Sequence, residues 1–155
     1  GLSDKNQNVN LYVPKFSFFN KNFYMYTYAF YNKKELRENL NTNYTLKNNI
    51  KIVKTIFKSK KIKKFPSKID LLKIDVNGHE FNVLKGLTTM IGKDNPVVIL
   101  EELKNILKIK KFLGQFGYIC YTYDPKKRKF LKYNNKNSAL NYYFMIKKKH
   151  EFTNI

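Results

Sequence analysis

Between residues 69 and 101, two short apolar runs bracket a stretch whose apolar residues recur at helical spacing. The first run, residues 69–76, is interrupted by Asp70 and Lys73 before it reaches Asp75. Such a run suits a strand buried on both faces. Val83, Leu84, Leu87 and Ile91 then predict one helix over roughly residues 79–91. Pro96 precedes a second buried strand, Val97-Val98-Ile99-Leu100, which ends at Glu101 and Glu102. A strand–helix–strand unit of this length implies parallel pairing through a crossover.

The pattern continues toward the C-terminus. Leu103, Ile106, Leu107, Leu113 and Phe116 mark an amphipathic helix with Gly117 as its stop. Residues 118–123 form a third strand, Asp124-Pro125 a turn, residues 130–133 a short strand and residues 140–146 a closing strand. A closing strand reached by a short connection runs antiparallel to its neighbour, so the expectation is a parallel sheet with an antiparallel edge. Upstream, residues 9–13 alternate and read as a strand ended by Pro14. Asn20, Lys21 and Asn22 form a turn before an aromatic strand over 23–31. Residues 33–40 make a short helix, 50–57 a strand and the lysine-rich stretch 58–68 a loop. The chain reads as one domain, with a β-rich insertion and basic loop over 1–68 and half of a sheet over 69–148.

Composition bounds the partners. The formal charge is +20, which attracts polyanions such as nucleic acid, acidic lipid or acidic glycans. The lysines are scattered, and Asn, Ile, Tyr and Phe are inflated together with Lys, so a purely compositional origin also accounts for the charge. No apolar run is long enough to span a bilayer. Cys120 is the sole cysteine, within an apolar run, which excludes an internal disulfide or a multi-cysteine metal site and points to a cytoplasmic setting.

The chemistry gathers where the first strand meets the helix: Asp75-Val76-Asn77-Gly78-His79-Glu80. Asp75 ends a strand on the side that faces the ligand crevice in open α/β sheets, or else caps the loop. Gly78 permits a sharp turn. Glu80 falls in the first helical turn, where the helix dipole favours its charge. His79 is a general-base candidate by its near-neutral titration, or an ordinary helix-start histidine. Glu101 closes the next strand at the same end and is preferred over Glu102 as the inward-facing acid. His79, Glu80 and Glu101 could approach one another, but their spacing is no recognised metal motif, and no metal is expected.

The segment from Leu71 to Gly86 resembles the signature of FkbM-type methyltransferases: lysine, apolar, Asp, Val, Glu, Gly, any, Glu, then a helix ending Leu-Lys-Gly. The run Pro96 to Glu101 is similar to that family's next strand and terminal Glu, and Ser138 to Phe144 to its last strand. Gly1 to Asn6 and the β-ribbon after them resemble the region following the family's third strand. The resemblance implies a partial Rossmann-like class I sheet, α/β, in which this chain supplies strands four to seven with an antiparallel edge, preceded by a β-rich insertion. It further implies transfer of a methyl group from S-adenosyl-L-methionine to a hydroxyl of a small-molecule or glycan acceptor, a sugar or secondary metabolite. Under it, Asp75, His79 and Glu80 carry catalysis, and Asn77, Gly78 and Glu101 contact substrate.

Two departures stand out. The family's Glu two residues after the Asp is Asn77, which cannot accept a proton at neutral pH. No Gly-rich turn follows a strand, and the 6 glycines form no GxGxxG, so no residue here is assigned to cofactor binding. The expectation is a fragment, inactive alone, whose first parallel strand exposes an edge. The competing readings are a non-catalytic remnant and a nucleic-acid-binding module, the latter supported by lysines beside aromatics over residues 57–65 and 125–130.

Overall fold

The computed structural model describes residues 2–43, 50–62, 65–101, 106–136 and 139–150. Among these, a mixed α/β chain builds two sheets and four α-helices. The first sheet is antiparallel, in the order β2-β1-β3, from β1 (Gln7–Phe18), β2 (Lys21–Tyr24) and β3 (Ile50–Ser59). The second, in the order β4-β5-β8-β6-β7, joins β4 (Leu71–Ile74), β5 (Val97–Glu101), β6 (Ile119–Asp124), β7 (Lys129–Lys132) and β8 (Asn141–Met145).

β1 runs straight through Pro14, contrary to the expected stop. Tyr12 exchanges both backbone hydrogen bonds with Phe30, and the Pro14 carbonyl accepts from the Met25 amide on that same side. The missing proline N–H therefore points toward the end of β2, away from the ladder with β3, and no ladder bond is lost. The β1–β2 turn is Phe19-Asn20, one step before the expected position, and both residues have positive φ, 45° and 60°. Such mirror-image turns match the twist of a hairpin. The expected strand over 23–31 ends at Tyr24 and gives way to a 3₁₀ turn, Tyr26–Tyr28. α1 (Lys33–Asn43) follows, capped by Asn32, whose Oδ1 accepts from the Lys34 amide at 2.8 Å.

In the larger sheet β4 and β5 are parallel, with Leu71 opposite Val97 and Ile74 opposite Leu100. β8 is antiparallel to both β5 and β6 and lies between them. The closing strand is antiparallel as expected but lies inside the sheet, and the antiparallel edge is β7, paired with β6; Val98, Leu100, Cys120, Tyr142 and Phe144 all enter the buried core. A correction concerns β4. It is an edge strand with β5 as its partner, and Leu71 is 58% exposed. Leu72 and Ile74 face the core while Leu71 and Lys73 face out, so the strand is buried on one face.

The helix expected over 79–91 is two helices, α2 (Glu80–Gly86) and α3 (Thr88–Asp94). Leu87 is the joint: its N–H is shared between the Val83 and Leu84 carbonyls, and the Thr88 hydroxyl donates to the Lys85 carbonyl at 2.7 Å. A Cβ on Gly86 would stand 2.3 Å from the Ser3 carbonyl oxygen, so the N-terminal segment lies directly against α2. Asn95, left-handed at φ 49°, ends α3. α4 (Ile106–Gly114) covers the core with Ile109 and Leu113, and Gly117 at φ 81° closes the turn after it. Leu103 and Glu102 lie outside the described residues.

Candidate active site at the β4–α2 corner

Parallel pairing of β4 and β5 brings their C-terminal ends together, and with them Asp75 and Glu101. Between the two acids stands Lys73, whose Nζ is 3.4 Å from Glu101 Oε2 and 4.0 Å from Asp75 Oδ2. The side chains of Lys73, Asp75 and Glu101 are 54%, 48% and 35% exposed, so this group meets solvent and a diffusing ligand. Lys73 was not among the residues singled out from sequence. Its signal lay in the alternation of β4, which puts residue 73 on the outward face beside the strand tip.

The other four candidates turn the chain and tie it down. Asn77 and Gly78 both adopt positive φ, 47° and 98°. Asn tolerates that region better than other non-glycine residues. The Asn77 amide also donates to the Ala29 carbonyl at 3.1 Å and reaches the Thr27 carbonyl at 3.5 Å, fastening the 3₁₀ turn of the first sheet to the corner. At Gly78, a Cβ would stand 2.9 Å from Glu35 Oε2 of α1. The Gly78 amide donates to Glu80 Oε1 at 2.9 Å, so the buried Glu80 carboxylate closes its own turn.

His79 is buried, which neither the general-base nor the surface reading anticipated. Its ring stacks on Tyr31 at 4.1 Å between centroids. Asn82 Nδ2 is 3.1 Å from Nδ1, and Ser3 Oγ is 3.1 Å from Nε2. The Asn82 amide can only donate, so Nδ1 accepts and Nε2 carries the proton to Ser3. The Ser3 hydroxyl in turn donates to Asp4 Oδ1, and Lys85 holds Asp4 Oδ2 at 2.7 Å. Burial lowers the His79 pKa below its ordinary value, and Lys85 lowers it further against an opposing pull from Asp4. Burial also raises the Tyr31 pKa, helped by the charge of Glu80. The N-terminal residues Ser3 and Asp4 carried no sequence signal for this role, since their partners lie over seventy positions away.

The candidates therefore divide. Asp75 and Glu101 share one lysine at the strand ends, while His79 and Glu80 spend their hydrogen bonds within the corner itself. Among the described residues no three His, Cys, Asp or Glu side chains gather as a metal site, so the possible approach of His79, Glu80 and Glu101 is not realised. Cys120 is buried and its thiol is pushed up to about 12 by burial, an inert core residue. The two lysine–aromatic segments fall in different sheets, one at the end of β3 and one at the β6–β7 turn. No helix among the described residues is long and apolar enough to cross a membrane.

No curated protein and no solved structure matches this sequence. The model of the Methyltransferase FkbM domain family matches residues 3–120, which takes in the first sheet, the β4–α2 corner and the strand ending in Glu101. That match spans well over half of the chain and includes every candidate residue of the corner: the chain belongs to the FkbM methyltransferase family.

Proposed function

We propose that the intact protein transfers a methyl group from S-adenosyl-L-methionine to a hydroxyl of a sugar or secondary metabolite, with Asp75 as the group that receives the hydroxyl proton. The observation that carries this reading is the pair of acids at the ends of two parallel strands, joined by Lys73. Asp75 accepts a hydrogen bond from the acceptor hydroxyl and takes its proton as the oxygen becomes nucleophilic. Glu101 accepts from a neighbouring hydroxyl and fixes the acceptor's orientation. Lys73 sits between the two carboxylates and aligns them. His79, Glu80, Asn77 and Gly78 serve as positioning residues: they set the turn on which Asp75 stands. On this reading the chain is a single domain, and its larger sheet is the C-terminal half of a Rossmann-like sheet.

The described residues do not fit the methyl donor by themselves. The sequence has no glycine-rich turn after a strand, and a Cβ on Gly78 would stand 2.9 Å from the Glu35 carboxylate of α1. We therefore assign no residue here to the donor and place its grip in another part of the intact protein. The lone, buried thiol accords with a cytoplasmic setting.

The test is transfer of labelled methyl from S-adenosyl-L-methionine to a pool of carbohydrate and small hydroxylated acceptors, catalysed by the intact protein and by its Asp75→Asn variant. The variant is expected to lose about 100-fold or more in rate. An undiminished rate would remove Asp75 from the chemistry; labelling of RNA or protein alone would remove the acceptor class.

A further inference from the structure

The first sheet carries a feature the corner does not use. β1, β2 and β3 hold Lys15, Lys21, Lys51, Lys54 and Lys58 and not one acid. Lys15 and Lys51 stand directly opposite each other in the ladder, an arrangement that costs stability unless an anion neutralises it. At the same end of the sheet, the β1–β2 turn presents Phe18 and Phe19 at 61% and 85% exposure. Phe19 does so from a left-handed backbone, φ 45°, which a bulky side chain adopts at a cost. Among the described residues the ring meets its neighbour Phe18 edge-on, at 4.4 Å, and is otherwise exposed.

We propose that this hairpin tip docks on an anionic lipid bilayer, with Phe18 and Phe19 entering the interfacial layer and Lys15, Lys21 and Lys51 meeting the acidic headgroups. Exposed apolar rings at a turn between strands that carry lysines and no acid match the two requirements of reversible surface binding. Single-stranded nucleic acid fits less well. Bases need open ring faces. Here Phe16 and Phe23 stack on each other at 5.1 Å, and Tyr24 and Tyr26 at 5.9 Å, so each pair has already used a face. Lys15 Nζ lies over the Tyr24 ring at 5.6 Å and covers another. This inference goes beyond methyl transfer and does not depend on it.

The chain contains no tryptophan, so Phe19→Trp supplies a unique reporter. With vesicles of phosphatidylserine in phosphatidylcholine, its emission is expected to shift to the blue and to be quenched by brominated acyl chains; phosphatidylcholine alone should do neither. Co-sedimentation of the full chain should fall about tenfold or more in the double variant Phe18→Ser/Phe19→Gly. Glycine relieves the left-handed strain, so that variant should melt no lower than the parent, which separates lost docking from lost folding. Equal sedimentation of parent and double variant overturns the proposal, as does an unshifted emission. Binding to single-stranded RNA that is lost in the double variant, without vesicle binding, replaces the bilayer with nucleic acid.

Discussion

His79 Nε2 and Ser3 Oγ lie 3.1 Å apart across seventy-six positions of sequence, and both are buried. That contact joins the N-terminal segment to the start of α2. Around it, Asn82 fixes the imidazole tautomer and Asp4, clamped by Lys85, completes the chain of donors. A partly buried network whose members pair with one another favours one arrangement, and removing a member leaves another unpaired.

Ser3→Ala should therefore destabilise the protein by about 1–3 kcal/mol, because the Nε2–H would be left buried without an acceptor. Urea unfolding reads the change in midpoint. His79→Ala should cost at least as much, since it also removes the stack on Tyr31.

Stability should also depend on pH through the two histidines. Both imidazoles are held below their ordinary value of 6.5, with burial the larger cause in each. At His150, Nδ1 accepts from the Ile146 amide; burial lowers the pKa, and the Asn95 carbonyl, which accepts from Nε2, opposes that lowering. The unfolded chain takes up protons there first, so the histidine contribution is full above about pH 6.5 and is lost as pH falls toward the lowered folded values. Unfolding midpoints measured from pH 5 to 8 should show the decline at the acid side, roughly, and His79→Gln should flatten part of it.

Gly86→Ala tests the close approach of Ser3 to α2. The new methyl would meet backbone atoms of Ser3 and Asp4 at 2.3 to 3.1 Å, and backbone yields poorly. The substitution should cost about 1–3 kcal/mol, despite the better helix propensity of alanine. A stabilised variant would show that this segment does not pack as described.

Asn77→Asp replaces the amide donor with a carboxylate facing the Ala29 and Thr27 carbonyls. Both hydrogen bonds are lost and the charge is repelled, at about 1–3 kcal/mol. Hydrogen exchange should rise along the 3₁₀ turn and not in β6 or β8. Asn77→Glu should do the same, so restoring the residue of the family signature is not expected to improve folding.

Lys73→Met separates chemistry from stability. The ion pairs of Lys73 are solvent-exposed, so the melting midpoint should shift by less than about 1 kcal/mol equivalent. Methyl transfer by the intact protein should nonetheless fall, because Asp75 and Glu101 lose the cation that aligns them. A full rate in this variant would leave the acids acting independently of each other.

Local sequence determined the elements that rest on local physics. The apolar spacing before Gly117, the run after Pro96 and the Asp124-Pro125 turn each gave helix, strand or turn where the structure has them, because side-chain period and backbone restriction act over a few residues. It also marked Asp75 and Glu101, since a strand's apolar run shows where its tip must be. Tertiary structure alone decided the rest. Whether β8 lay at the edge or inside depended on partners supplied by β5 and β6, and the need for glycine at position 86 depended on a carbonyl from Ser3. The burial of His79 required a residue seventy-six positions away, and the insertion of Lys73 between two acids required two strands to be parallel and in register. These are contacts between distant segments, and one-dimensional periodicity carries no record of which distant segments meet.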